Sequence, residues 1–171
     1  MIIQETSGGG ELPPKKVQSA VCVAVIDVGE AYGIPPDDTG RRMVPSINPA
    51  QPDPKQKVRF IFESEEKMED GRPFQLTRQF NVTMSDKGYL KPFLDGWGIE
   101  LVRVGGGIDL EASCVGKTAM ANVTHDKDRN DPERIWANLS TVMPSDMELQ
   151  PSGEFNKADY LKKAAEKFAE R

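Results

Sequence analysis

The sequence predicts a mainly β fold of the α+β class, and three observations carry that reading. Apolar and polar residues alternate with a period of two in several separate runs, as half-buried strands require. The 171 residues include 15 Gly and 13 Pro, too many breakers for a helical bundle. Helical spacing is confined to short stretches after residue 85 and to the C-terminal tail.

The elements follow in order. Residues 1–16, MIIQETSGGGELPPKK, lack periodicity and read as a flexible N-terminal arm, native or in part an expression remnant. Val17 to Gly29, VQSAVCVAVIDVG, is β-branched with apolar side chains on both alternating faces. It predicts a strand covered on both sides or bent across a barrel. A long loop over 30–55 comes next, holding Pro35, Pro36, Pro45, Pro49, Pro52 and Pro54. Proline lacks the ladder donor and breaks helices, and loops this long are uncommon unless functional.

Two clean alternations follow. Val58, Phe60 and Phe62 share one face of KVRFIFES. Phe74, Leu76, Phe80 and Val82 share a face of PFQLTRQFNVT, interrupted by Arg78. Asp70-Gly71 between them is a hairpin turn signal, so the two runs form an antiparallel hairpin. Ser85 is expected to cap a helix carrying Leu90, Phe93, Leu94 and Trp97, which Pro92 makes short or kinked. Gly105-Gly106-Gly107 reads as a flexible turn, and Asp109 as the cap of a brief helix ending at Gly116. Thr118 to His125 and Ile135 to Met143 are two further strands, joined by the polar loop DKDRNDPER. The tail NKADYLKKAAEKFAER places Leu161, Ala165 and Phe168 on one stripe of an amphipathic helix, packed on the body or offered to a partner.

Strand, long loop, strand, strand, helix, strand, strand is the order of the OB-fold, a five-stranded Greek-key barrel with a helix between strands 3 and 4. The domain is expected over 17–145, with a linker and C-terminal helix over 146–171. The two long connections fall where this fold binds ligands.

Composition narrows the function. The formal charge is −5, from 22 basic and 27 acidic side chains. It divides as −3 over 1–54, zero over 55–124, −4 over 125–155 and +2 over 156–171. Bulk charge therefore argues against a strongly basic nucleic-acid binder, while the central strands are neutral with clustered cations. No apolar run approaches the ~18 residues of a membrane span, and no signal-peptide pattern opens the chain. Cys22 and Cys114 form no disulfide framework or zinc spacing, so a reducing cytoplasm is expected.

Catalytic signals are weak. The single histidine, His125, lacks a patterned nucleophile, and the glycine run lacks the Lys-Ser/Thr of a phosphate loop. Asp126, Asp128 and Asn130 open like a calcium loop, but Asp131 stands where its turn needs Gly and Ala137 where it needs Glu. Sequons at Asn81, Asn122 and Asn138 read as coincidences of β-rich composition. No catalytic residue, metal or cofactor is expected.

Single strands are held by cations that follow phosphates and rings that stack on bases. The candidate cations are Lys55, Lys57, Arg59, Arg72 and Arg78, with Arg41 and Arg42 in the long loop. A solvated sheet face explains the first five equally well. The candidate rings are Tyr32 and Trp136, and Trp136 falls on the opposite face from Ile135, Ala137 and Leu139. It is either exposed for stacking or covered by the C-terminal helix.

The blocks VCVAVIDVGEAYG, KVRFIFES, DGRPFQLTRQFNVTMSDKGYLKPFLDGWG, GIDLEASCVGK and IWANLSTVMP resemble a group of small bacteriophage proteins. These are encoded with replication or recombination genes and regarded as OB-fold, single-strand-DNA-binding-like. The resemblance spans Ala20 to Pro144. It implies a non-enzymatic, sequence-independent single-stranded DNA binder in the cytoplasm of an infected bacterium. Its partners would be single-stranded DNA, replication or recombination proteins and further copies of itself, with no membrane. The alternative is an OB-like interaction module, a replisome or virion adaptor working through the C-terminal helix. The tail is net basic where many phage single-strand binders carry an acidic recruiting tail.

Overall fold

A computed structural model describes residues 11–170. Its strands are β1 (Val17–Asp27), β2 (Lys57–Lys67), β3 (Pro73–Asn81), β4 (Val102–Val104), β5 (Gly107–Asp109), β6 (Thr118–Lys127) and β7 (Ile135–Pro144). Its helices are α1 (Val28–Ala31), α2 (Leu90–Trp97), α3 (Leu110–Cys114) and α4 (Lys157–Ala169). The first ten residues of the expected arm lie outside the described residues. Within 11–16, the Pro13 carbonyl meets His125 Nε2 at 2.7 Å and the Pro14 carbonyl accepts from Gln18 Nε2 at 2.9 Å.

Five strands form one antiparallel sheet in the order β3-β2-β1-β6-β7. Because every pair is antiparallel, the edge strands β3 and β7 both run in the direction of β1. They come side by side without a ladder. Instead, Arg78 Nη1 donates to the carbonyls of Leu139 and Ser140 at 2.9 and 2.7 Å.

β1 explains how one strand serves two neighbours and two faces. Its first half pairs with β6 and its second with β2, and a bulge between Cys22 and Ala24 shifts the register. One face gives Ala20, Cys22 and Val25 to the main core. The other gives Ala24 and Ile26 to a smaller cluster with Ile61 and Ala31. The continuous β-branched run is thus the signature of a strand covered on both sides.

The main core is aromatic. Phe60, Phe62 and Phe80 meet Phe93 and Trp97 of α2, with Phe80–Phe93 at 4.8 Å and Phe62–Trp97 at 5.3 Å between ring centres. Leu90, Phe93, Leu94 and Trp97 recur every three to four residues and are all buried. Trp97 Nε1 donates to the Thr118 carbonyl at 3.1 Å. Pro92 lies in the first turn of α2, where the missing N–H is unpaired anyway, so the helix is short and not kinked. Ser85 does not cap it. Its hydroxyl accepts from Lys87 N in a separate turn, and α2 begins after Tyr89 with no side-chain cap.

The glycine run is the tip of a small β4–β5 hairpin, an element the sequence pattern did not reveal. Asp109 caps α3 through Ala112 N at 3.0 Å, as its position suggested. Cys22 and Cys114 are buried free thiols. Burial pushes the Cys114 pKa up to about 12, and burial aided by Cys114 raises Cys22 further.

The 30–55 loop is tied down at several points. Val44 and Lys55 exchange both backbone hydrogen bonds, and Arg42 Nη1 donates to the Ile34 carbonyl at 2.6 Å. Gly29 is needed beneath it, since a Cβ there would lie 2.4 Å from Arg42 Cβ. After β7 the chain crosses back, with Ser152 N and Oγ both donating to Glu63 at 2.7 Å. Asn156 then caps α4, whose Tyr160, Leu161 and Ala164 pack on the smaller cluster. The C-terminal helix therefore packs on its own chain.

Candidate nucleic-acid interface

Strand alternation turns Lys57, Arg59, Ile61 and Glu63 of β2 away from the main core. Opposite them in register stand Asn81, Gln79, Thr77 and Gln75 of β3. The face therefore runs from a cationic end at Lys57 and Arg59 to an acidic residue at Glu63.

The cationic end is bonded to neutral oxygens. Lys57 Nζ donates to Asn81 Oδ1 at 2.9 Å. Arg59 gives Nε and Nη2 to Gln79 Oε1 at 3.0 and 2.7 Å, Nη1 to the Tyr160 hydroxyl at 2.6 Å and Nη2 to the Tyr32 hydroxyl at 3.3 Å. Burial works against the Arg59 charge, but the Tyr160 and Tyr32 hydroxyls outweigh it and hold its pKa above the ordinary value. Among the described residues, neither Lys57 nor Arg59 has a carboxylate within ion-pair distance. Phenol and amide oxygens orient these two charges without neutralising them.

The other expected cations are placed differently. Arg78 lies over the Phe80 ring at 4.9 Å and joins β3 to β7. Arg72 pairs with Asp70 at 2.7 Å in the β2–β3 turn. Arg42 is held by Ile34 and sits 4.0 Å from Asp27. The side chains of Arg41 and Lys55 are exposed along the long loop. Structure thus gathers Lys57, Arg59 and Tyr32 and separates Arg72 and Arg78 from them.

The two rings also differ. Tyr32 is stacked on Phe168 of α4, with ring centres 4.3 Å apart and planes within 7°. Trp136 remains 43% exposed and α4 packs elsewhere, on α1 and the small cluster. Arg134 lies over its ring at 4.1 Å, and its Nε1 donates to Asp128 Oδ2 at 3.3 Å. Its ring is therefore partly exposed at the β6–β7 loop, with Arg134 already stacked on it.

Sequence reasoning did not find Tyr160, Lys163 or Arg134. Tyr160, Ala164 and Phe168 follow at intervals of four, which places them on one helical stripe, and that spacing was the available signal. Beside the acidic end lies a cleft of about 880 Å³ bordered by Glu63, Arg72, Gln75, Glu154, Asp159 and Lys163. Carboxylates outnumber cations along its lining, so that end of the face is acidic. No His/Cys/Asp/Glu cluster among the described residues is arranged to hold a metal. No helix of the described residues is long and apolar enough to cross a membrane. No protein-family model, curated protein or solved structure matches the chain.

Proposed function

We propose that this chain is a non-enzymatic, OB-fold protein of bacteriophage type that binds single-stranded DNA with little sequence preference. The observation that carries the reading is the outer β2 face, where Lys57 and Arg59 are held by neutral oxygens and, among the described residues, have no carboxylate within ion-pair distance. A phosphodiester is the ligand such a face suits, because it supplies the missing counter-charge and accepts from the same donors. Two features support the fold assignment. The sheet order β3-β2-β1-β6-β7, with edge strands joined through Arg78, agrees with the strand order expected of a five-stranded OB barrel. Helix α2 also lies between the third and fourth strands of that sheet, as the OB-fold requires. Acting beside replication or recombination proteins in an infected bacterial cell is part of the same proposal.

What weighs against the adaptor reading is the orientation of α4. Its apolar stripe faces its own chain, leaving mainly charged side chains outward. Titration of a labelled oligo-dT by fluorescence anisotropy at low salt tests the DNA reading. Binding that Lys57→Glu weakens at least tenfold is expected. No binding by the wild-type protein at low salt refutes it.

A further inference from the structure

Two chemistries hold a single strand: a guanidinium gripping an oxygen and an aromatic ring stacked on a base. At the outer β2 face both are already occupied, and by the same helix. The Tyr160 hydroxyl oxygen sits 2.6 Å from Arg59 Nη1, where a phosphate oxygen would accept. The Phe168 ring lies flat on Tyr32 at 4.3 Å and 7°, the geometry a base would take there. Tyr160 and Phe168 are eight residues apart, so one helical face delivers both groups together.

The helix is also lightly held. None of its residues is fully buried, although its stripe covers the small cluster. The chain before it is fixed firmly, with Ser152 bonded twice to Glu63. Gly153 follows at φ +84°, a conformation that favours glycine, and it lies between the fixed point and the helix. A pivot there would swing α4 away while leaving the β1–β2 body intact.

Building on the single-stranded DNA reading, we propose that α4 is an internal mimic of the bound strand and that DNA binds by displacing it. Tyr160 stands in for a phosphate oxygen and Phe168 for a base. Free protein is then self-covered, and Lys157, Lys162, Lys163 and Lys167 swing away with the helix when the strand binds.

The test uses the full chain in two measurements. In the first, the Tyr160→Phe/Phe168→Ser double variant is titrated with labelled oligo-dT beside the wild type. It should bind about tenfold tighter, the ratio that ~1.4 kcal/mol of removed competition produces. Adding Tyr32→Ala should abolish that gain. In the second, wild-type protein is digested with trypsin, with and without oligo-dT. DNA should accelerate cleavage after Lys162, Lys163 and Lys167, a result independent of any variant's folding. Equal or weaker binding by the double variant, or cleavage slowed or unchanged by DNA that does bind, overturns the mimic and leaves DNA binding standing. Absence of binding by both proteins overturns both.

Discussion

In sequence Arg78 is one of the candidate phosphate-binding cations, yet its surroundings give it a structural task that can be measured. Its Nη1 donates to the carbonyls of Leu139 and Ser140, and its guanidinium lies over Phe80. Replacing it by Met keeps most of the apolar stem but strands two carbonyls at the β3–β7 contact. Losing a hydrogen bond from a charged donor costs about 1.5–3 kcal/mol, and the ring contact adds roughly 0.5–1. Arg78→Met should therefore lower stability by about 2–4 kcal/mol. At this chain length each kcal/mol shifts Tm by ~2–4 °C, so a fall of roughly 5–15 °C is expected. Urea denaturation followed by Trp fluorescence reads the same quantity, with a lower midpoint at unchanged slope. A variant within ~0.5 kcal/mol of wild type, the range of ordinary surface substitutions, would refute the structural role and return Arg78 to the list of free cations.

Trp97 fills the centre of the aromatic core and donates to Thr118, so Trp97→Ala should cost about 3–5 kcal/mol in the same denaturation experiment. Cys22 and Cys114 have folded pKa values raised above 9.0, Cys114 to about 12. A raised folded pKa contributes stability that is complete below the unfolded value and is lost as pH rises. Stability should therefore decline from about pH 9 upward in reducing buffer, and Cys114→Ala should flatten that decline. Both thiols should resist a thiol reagent at pH 8 until the protein is unfolded.

Much of the fold was legible because its elements carry local signals. The face alternation of β2 and β3, the Asp70-Gly71 turn and the α2 spacing each depend on a few neighbouring residues. The β4–β5 hairpin was missed because each strand is three residues long, too short for a period to emerge. The site was less legible for a different reason. Whether a cation is available depends on what faces it across the fold. Arg59 and Arg78 lie nineteen positions apart on adjacent strands and look equivalent in sequence. One faces outward to phenols brought from residues 32 and 160, and the other faces inward to carbonyls of β7. No local pattern encodes those partners.

This difference has a consequence for salt dependence. The sequence offered seven cations: Lys55, Lys57, Arg59, Arg72, Arg78, Arg41 and Arg42. If all seven met phosphates, log Kd against log salt would change with a slope near 5, at ~0.7 per phosphate on a single strand. Affinity would then fall about a thousandfold between 50 and 200 mM salt. The geometry commits Arg72 to Asp70, Arg78 to β7 and Arg42 to Ile34. Four remain, Lys57 and Arg59 on one face and Lys55 and Arg41 exposed along the long loop. Two to four phosphate contacts give a slope of about 1.4–2.8, and a fall of about 7- to 50-fold over the same range. Stacking on Tyr32 and Trp136 would then supply a larger share of the affinity, as suits a chain carrying five surplus negative charges. A salt series of oligo-dT titrations separates the cases. A slope near 5 would mean that the strand also engages Arg72 and Arg78, which the outer β2 site does not permit, and a slope of zero would remove electrostatic binding altogether.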